Sequence, residues 1–170
     1  MDELQTYWLY GATAIVSLLF CWYSERTNKK RGLVAAAILL IFVSGFRAYS
    51  VGVDTSLYKT GIEYFFERGE VLWSSSFAYG YGAFTRFLLT LNKDYTFVLV
   101  AQAAITHGLI LARFWDLRKR CSLTFMLFAY ICTTYFYTFC IICQYVAVAL
   151  VFWGSRYADR GKILPYTIVI

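Results

Sequence analysis

Three polar side chains interrupt long uncharged stretches of this sequence, and each could do chemistry there. Arg47 ends one stretch, His107 lies inside a second and Gln144 inside a third. An arginine within a membrane-spanning segment predicts a functional site, although a guanidinium that only reaches up to the lipid headgroups is an equally good interpretation. For His107 we favour a hydrogen-bonded structural role over proton transfer.

The five cysteines offer a second possible chemistry. Cys140 and Cys143 match the C-x-x-C pattern of redox pairs and of half a zinc site. A zinc site needs about four ligands, and the single histidine lies far away in the sequence. All five thiols fall inside or at the edge of apolar segments, where a thiol packs as a small hydrophobic group. We therefore predict no metal site and no cofactor.

Composition places the chain among membrane proteins. Apolar residues make up 60% of the sequence, charged residues 15%, and the mean hydropathy is +0.56. Soluble domains average about 45–50% apolar and about 25% charged residues. The net charge is +6, but the basic residues lie in short runs beside apolar segments. That pattern is typical of orientation signals, so nucleic-acid binding is not predicted.

The first two apolar runs predict two spans joined by a basic loop. The 21 uncharged residues between Glu3 and Glu25 are long enough to cross a bilayer. The basic loop 24–31 is then expected in the cytoplasm, which places the N-terminus outside. The second run, Gly32 to Phe46, would be only about 22 Å long as a helix, so we expect that helix to continue past Arg47.

The segment 47–91 is expected on the outer side. Residues 47–75 carry three basic and four acidic side chains and form a long loop, and long loops often carry function. The apolar residues Phe77, Tyr81, Phe84, Leu88 and Leu91 then follow helical spacing. This amphipathic helix could span the bilayer or lie in its outer interface. We favour the interface, because a span would place the later basic loops outside.

The remaining apolar runs predict an inward span and a tight hairpin. Tyr95 to Ala112 is 18 residues long and leads to a basic segment. Cys121 to Ser155 contains no charge in 35 residues, and basic residues flank both ends. As one helix this run would be about 52 Å long, so we predict a hairpin with its tip near Thr138–Gln144, outside. The final residues, Ile163–Ile170, would start a further span that is cut off partway.

These predictions combine into one architecture. We expect an all-α, polytopic transmembrane helical bundle of about five spans, with an interfacial amphipathic helix and the start of a further span. Residues 1–170 would form a single transmembrane domain, truncated at the C-terminus. The outer loop, Arg47 and the hairpin tip with Gln144 converge on the outer side, where we expect the functional site.

The string FRAYSVGVDTSLY, from Phe46 to Tyr58, carries a resemblance. It resembles the EpsG family of bacterial exopolysaccharide and O-antigen polymerase-like membrane proteins, in which a helix ends in an R-x-x-x-x-G-x-D-[TY]-x-x-Y pattern. Two weaker blocks follow in order: 77–81 in place of Y-E-P-G-Y, and 139–147 in place of F-N-G-I-R-Q-A-L-A. The chain is about half the family's usual length. It departs from the family at Ala78, where glutamate is usual, and at Cys143, where arginine is usual.

The resemblance implies a polymerase that joins sugar units carried on polyprenyl diphosphate, at the outer leaflet of the bacterial cytoplasmic membrane. Arg47 and Asp54 would be catalytic: the arginine would stabilise the diphosphate leaving group, and the carboxylate would act as general base on the acceptor hydroxyl. Tyr58, Tyr81 and Gln144 would bind substrate. The alternatives are that Asp54 only caps the helix after it and that the tyrosines are interfacial anchors.

Other functions stay open. Cysteine at 143 cannot grip a diphosphate as a guanidinium does, so the chain could be a degenerate member that is inactive alone. A polysaccharide transporter or flippase subunit is one alternative, and a structural partner that packs through Ala35–Ala37 and Gly80–Gly82 is another. The expected partners are membrane lipid, a polyprenyl-diphosphate-linked oligosaccharide and, as further candidates, other subunits of a polysaccharide assembly system.

Overall fold

The computed structural model describes residues 3–48, 51–52, 54–68, 79–162 and 167. In this part of the chain the regular elements are seven α-helices and one 3-10 helix, without a strand, so the predicted all-α class is confirmed. In order they are α1 Glu3–Thr27, α2 Lys30–Gly45, α3 Thr55–Arg68, α4 Tyr79–Leu91, α5 Tyr95–Leu117, α6 Leu123–Thr133, the 3-10 helix Tyr135–Phe139 and α7 Ile142–Ala158.

Within the described residues, one helix, α5, is long and apolar enough to cross a membrane, and α6 is apolar but shorter. The predicted start of α5 at Tyr95 is confirmed, because the Asp94 carboxylate accepts a hydrogen bond from the Thr96 N–H at 2.9 Å and caps the helix. The total of about five spans stays a prediction. The further span expected at Ile163–Ile170 lies outside the described residues, apart from Thr167.

The helices α2 and α5 form the centre of the bundle. α2 packs against α1 and α5, α5 also packs against α7, and α6 packs against α1. Leu40 of α2, Leu111 of α5 and Leu127 of α6 are buried in the shared core. α2 approaches α5 closely at Gly45, where a Cβ would lie 2.7 Å from the Val100 Cγ2. A small residue is required at this helix crossing.

The two ends of the bundle differ in chemistry. At one end Glu25 accepts hydrogen bonds from the Ser122 hydroxyl at 3.2 Å and the Thr124 N–H at 3.0 Å, and Arg113 pairs with Asp159. These contacts bring together the ends of α1, α5 and α7 and the start of α6. We call this the basic end (24–31, 113–124 and 156–162) and the opposite one the loop end (44–48, 51–52, 54–58, 92–102 and 134–144).

The uncharged run 121–155 reverses direction, as predicted. α6 leaves the basic end, where the Ser122 hydroxyl accepts from the Phe125 N–H at 3.3 Å, and α7 returns to it. Between them the chain forms the 3-10 helix and enters α7 at Ile142. The turn begins at Thr134, the C-cap of α6, and so starts before the predicted tip.

The prediction that α2 continues past Arg47 is wrong. α2 ends at Gly45, and the N–H of Phe46 donates to the Phe42 carbonyl at 3.0 Å. The Arg47 guanidinium folds back on the last turn and donates to the Ser44 carbonyl. A side chain that satisfies a terminal carbonyl stabilises the helix end at this position.

The helix α4 packs along the first half of α5, together with α3. Leu88 and Leu89 of α4 form a cluster with Val98 of α5 and Ile62 of α3. Leu91, the last residue of the predicted apolar face, is 62% exposed. The interfacial location of α4 stays a prediction, and Phe77 lies outside the described residues.

Candidate functional site

Arg47, Gly52 and Thr55 meet at one backbone group, the carbonyl of Phe139. The Arg47 Nη2 donates to this oxygen at 3.1 Å, and the Thr55 hydroxyl lies 3.1 Å from it. Gly52 has a φ of 93°, and a Cβ at this position would lie 2.5 Å from the same oxygen. Only glycine fits both this conformation and this approach. Three positions of the R-x-x-x-x-G-x-D-T string therefore build a single long-range contact.

The Phe139 carbonyl needs these donors because no helix uses it. The 3-10 helix ends at Phe139, and α7 begins at Ile142 without a side-chain cap. Irregular backbone at membrane depth is tolerated only where protein or water satisfies its polar groups. The Tyr135 hydroxyl adds a second anchor by donating to the Leu40 carbonyl at 3.0 Å. The motif thus fastens the turn of the hairpin to the end of α2.

Arg47 keeps its positive charge without an acidic partner. Its guanidinium donates to the Ser44 and Phe139 carbonyls and lies 5.0 Å from the centre of the Phe139 ring. The buried Nε–H has no hydrogen-bond partner, and the ion pairs among the described residues do not include Arg47. Because a guanidinium has five N–H donors, several remain for an anion.

Asp54 directly precedes α3, at the N-cap position. Its backbone carbonyl accepts from the Tyr58 N–H at 3.0 Å, which is the first bond of the helix. Within the described part of the chain the half-buried carboxylate makes no hydrogen bond and no ion pair. The alternative of side-chain capping therefore lacks its hydrogen bond, and both carboxylate oxygens can accept from a ligand.

Tyr58 of α3 and Tyr81 of α4 lie against each other, with ring centres 6.0 Å apart in an edge-to-face arrangement. The buried Gln102 of α5 donates its amide to the Tyr81 hydroxyl at 2.8 Å. Burial raises the pKa of Tyr58, and a backbone hydrogen bond with Cys143 opposes that shift. The Tyr58 hydroxyl therefore stays protonated at neutral pH.

A small cavity of about 10 Å³ lies beside the arginine. Six polar residues line it: Ser44, Arg47, Gln102, Thr106, His107 and Thr138. A space of this size accommodates about one water molecule. Gln102 belongs to both groups, because it lines the cavity beside Arg47 and holds the Tyr81 hydroxyl.

His107 is part of the buried core behind this cavity. Its Nδ1 lies 2.7 Å from the Tyr130 hydroxyl, and its ring centre is 5.2 Å from that of Tyr135. The side chain is fully buried, and its Nε2 has no hydrogen-bond partner in the part of the chain that the structure describes. The hydrogen bond to Tyr130 agrees with the structural role that we favoured from the sequence.

Cys143, rather than its neighbour Gln144, lies beside the tyrosines. Cys143 borders an apolar groove of about 550 Å³ between α4, α5 and α7, whereas Gln144 is exposed on α7. The groove opens next to Tyr81, and its other walls are Phe84, Ile105, Val146, Ala147 and Leu150. All five cysteines are free thiols. In the residues that the structure describes, no three His, Cys, Asp or Glu side chains are grouped as metal ligands.

Sequence reasoning missed Thr55 and Gln102. The sequence signal for Thr55 was its position inside the family pattern. In the structure Thr55 is fully buried. Gln102 carried a weaker signal. It lies four residues before Thr106 and five before His107, so the three form a polar stripe on an otherwise apolar helix.

Comparison with known protein families matches residues 30–170, which contain α2 to α7 and the three sequence blocks quoted above. The helix α1 precedes the matched region. No curated protein and no solved structure matches the chain. The matched family consists of exopolysaccharide polymerase-like membrane proteins. With a match over more than four-fifths of its residues, the chain belongs to the EpsG family.

Proposed function

We propose that this chain is a membrane glycosyltransferase that joins polyprenyl-diphosphate-linked sugar units into extracellular polysaccharide. The observation that carries the proposal is the Arg47 guanidinium at the loop end, which is held by two carbonyls and has no carboxylate partner among the described residues. A cation of this kind suits a site in which negative charge develops on a departing diphosphate. Asp54, Tyr58 and Tyr81 supply the polar and aromatic groups around it.

The proposed reaction is a substitution at the anomeric carbon of the lipid-linked sugar. An acceptor sugar hydroxyl attacks that carbon, its proton passes to the Asp54 carboxylate, and the bond from the carbon to the diphosphate oxygen breaks. The diphosphate leaves with the bonding electron pair, and the free N–H groups of Arg47 stabilise its charge. Tyr58 and Tyr81 bind the sugars through their rings and hydroxyls, and Gln144 contacts substrate from the exposed side of α7.

The apolar groove beside Tyr81 supports a lipid-linked substrate. Its wall residues are aliphatic and aromatic, as the binding of a polyprenyl chain requires. Cys143 borders the groove where the family pattern has an arginine. Arg47 is then left to bind the diphosphate without a second arginine. We therefore expect lower activity than in family members that have both arginines, or dependence on other subunits of the assembly system.

The proposal requires the loop end to face outward, which also places the N-terminus outside and the basic end in the cytoplasm. Single cysteines at Thr90 and Tyr137, in a chain without its native cysteines, should react with a membrane-impermeant maleimide added to intact cells. Cysteines at Lys29 and Asp116 should react only after the cells are opened. Labelling of Asp116→Cys from outside would mean that the basic end faces outward, and would exclude a reaction of the loop end at the outer leaflet.

Replacement of Arg47 tests the catalytic role directly. In cells that lack the wild-type gene, Arg47→Ala should lower polymer yield about 100-fold or more, the usual effect of removing a donor to a developing anion. Arg47→Lys should recover part of the yield, because it restores the charge without the planar fork. Lys93→Ala, an exposed cation at the same end, is the control. Wild-type yield from Arg47→Ala in correctly inserted protein would exclude the proposed role.

A further inference from the structure

The basic end contains a polar pocket of about 360 Å³ that the proposed reaction does not use. The ends of α5 and α7 and the loop before α6 form it. Its cations are Arg113, Arg118, Lys119, Arg120, Arg156 and Arg160. Among the described residues the acidic ones in the lining are Asp116 and Asp159, so these side chains give the pocket six positive charges against two negative ones.

Ion pairing leaves part of this charge unmatched. Arg113 pairs with Asp159, and Arg156 lies 3.5 Å from Asp116. Arg120 reaches only the already paired Asp159, at 3.7 Å. Lys119 and Arg160 are exposed and take part in none of the ion pairs between described residues. The pocket therefore has a net charge of +4, concentrated on side chains that are free to bind an anion.

An apolar groove of about 430 Å³ runs from this pocket along the bundle, between α2 and α5. The two share Asp116 and Arg156 in their linings. Val34, Ala37, Ile38 and Ile41 of α2 form one wall, and Gly108 and Ala112 contribute to the other. Lys30 lies at the junction, with its Nζ 5.8 Å from the centre of the Trp115 ring. Tryptophan and lysine at such a boundary are typical of the headgroup level of a bilayer.

We propose that the basic end binds an anionic phospholipid, with its phosphate headgroup among Lys119, Arg160 and Arg156 and one acyl chain in the groove between α2 and α5. Phosphate oxygens are the ligands that clustered arginines and lysines prefer. A free phosphate would use the basic pocket but not the groove. A zwitterionic lipid would place its own cation among four unmatched positive charges, so an anionic headgroup is favoured.

Lipid binding to the full chain in detergent tests the proposal, with spin-labelled phosphatidylglycerol as the probe. Unlabelled phosphatidylglycerol should displace the probe, whereas phosphatidylcholine and inorganic phosphate should not. Each cation near an anionic lipid contributes about fivefold in affinity, so Lys119→Gln with Arg160→Gln should weaken binding about thirtyfold. The matched control is Lys29→Gln with Arg31→Gln, which removes the same charge from the same end but outside the pocket.

A second pair of variants tests the groove. Ile38→Trp fills it, whereas Ile15→Trp changes a residue on α1 that is equally exposed, 61% against 62%. Only Ile38→Trp should reduce probe binding, by about tenfold, which corresponds to about 1.4 kcal/mol. Equal losses from the two charge variants would show a general surface potential instead of a site. Displacement by inorganic phosphate, or unchanged binding in Ile38→Trp, would also overturn the lipid assignment.

Discussion

The loop end and the basic end both contain buried or half-buried arginines, but they hold them differently. At the loop end Arg47 donates to two backbone carbonyls. At the basic end Arg113 and Arg156 face the carboxylates of Asp159 and Asp116. A carbonyl fixes a guanidinium through its dipole and leaves the net charge in place, whereas a carboxylate neutralises it.

This difference separates a cation that can act on a ligand from cations that hold the fold together. Arg47 can serve both purposes, because one of its five donors anchors the hairpin turn at Phe139, a second holds the end of α2 at Ser44, and further N–H groups remain for a ligand. Arg113 is nearly fully buried and committed to its partner. The charge that remains at the basic end resides on unpaired neighbours such as Lys119 and Arg160. Three predictions test this comparison, two at the loop end and one at the basic end.

The largest effect is expected from Gly52→Ala. A non-glycine residue at this positive φ costs about 1–2 kcal/mol, and the new Cβ would also overlap the Phe139 carbonyl, a backbone atom that cannot move easily. We expect a total loss of about 3 kcal/mol in unfolding free energy, measured by denaturant unfolding in detergent. Gly161→Ala is the matched control, because Gly161 also has a positive φ but nothing within 4 Å of a Cβ. Equal losses from the two variants would show that the contact with Phe139 contributes nothing.

A smaller effect is expected from Thr55→Val, which keeps the shape of the side chain and removes the hydroxyl. The single hydroxyl proton serves two carbonyls, that of Val51 at 2.8 Å and that of Phe139 at 3.1 Å. The loss of this buried hydroxyl leaves the Phe139 carbonyl to Arg47 and should lower the unfolding free energy by about 1 kcal/mol. Thr60→Val on the same helix removes an exposed hydroxyl that bonds only to the Ser56 carbonyl, and should be nearly neutral. A neutral result for Thr55→Val would mean that Arg47 alone satisfies the turn.

The smallest effect is expected at the basic end, from Asp159→Asn. The hydrogen bond from Arg113 holds the pKa of Asp159 below its usual value of 3.8. The ion pair therefore contributes fully to the stability of the folded state above pH 3.8. This contribution is lost as the pH falls through the lower pKa that Asp159 has in the folded state. Because Asp159 is exposed, we expect the variant to melt only about 2 °C lower at pH 7. The difference in melting temperature between wild type and variant should become smaller below about pH 4. A difference that stays constant down to about pH 2 would contradict the ion-pair explanation.

Much of the helical layout could be predicted from charge and length alone. The uncharged run 121–155 is too long for one span and basic at both ends, so its reversal followed without any glycine or proline in the turn. The start of α5 was marked by Asp94, whose carboxylate caps the helix. Both signals are local in the sequence, so they can be recognised without knowledge of the fold.

The details of the site depend on contacts between distant parts of the chain. The end of α2 was placed too late because Arg47 is held by a carbonyl 92 residues away. Gln102 was missed because its partner, the Tyr81 hydroxyl, comes from another helix. Whether Cys143 or Gln144 faces the tyrosines depends on where α7 starts, because successive residues of an α-helix point about 100° apart. No local pattern around Ile142 fixes that start.

The contact between Glu25 and the start of α6 has a consequence for how the protein is made. Glu25 is synthesised early, whereas Thr124, whose N–H it accepts, lies 99 residues further along the chain. At about 5–20 residues per second, the ribosome needs roughly 5–20 s to reach that partner. During this interval the pair of α1 and α2 must persist with the Glu25 carboxylate still without this partner. The arrival of α6 then ties α1 to a helix that is made much later, so this contact forms only after α2 to α5 have been synthesised.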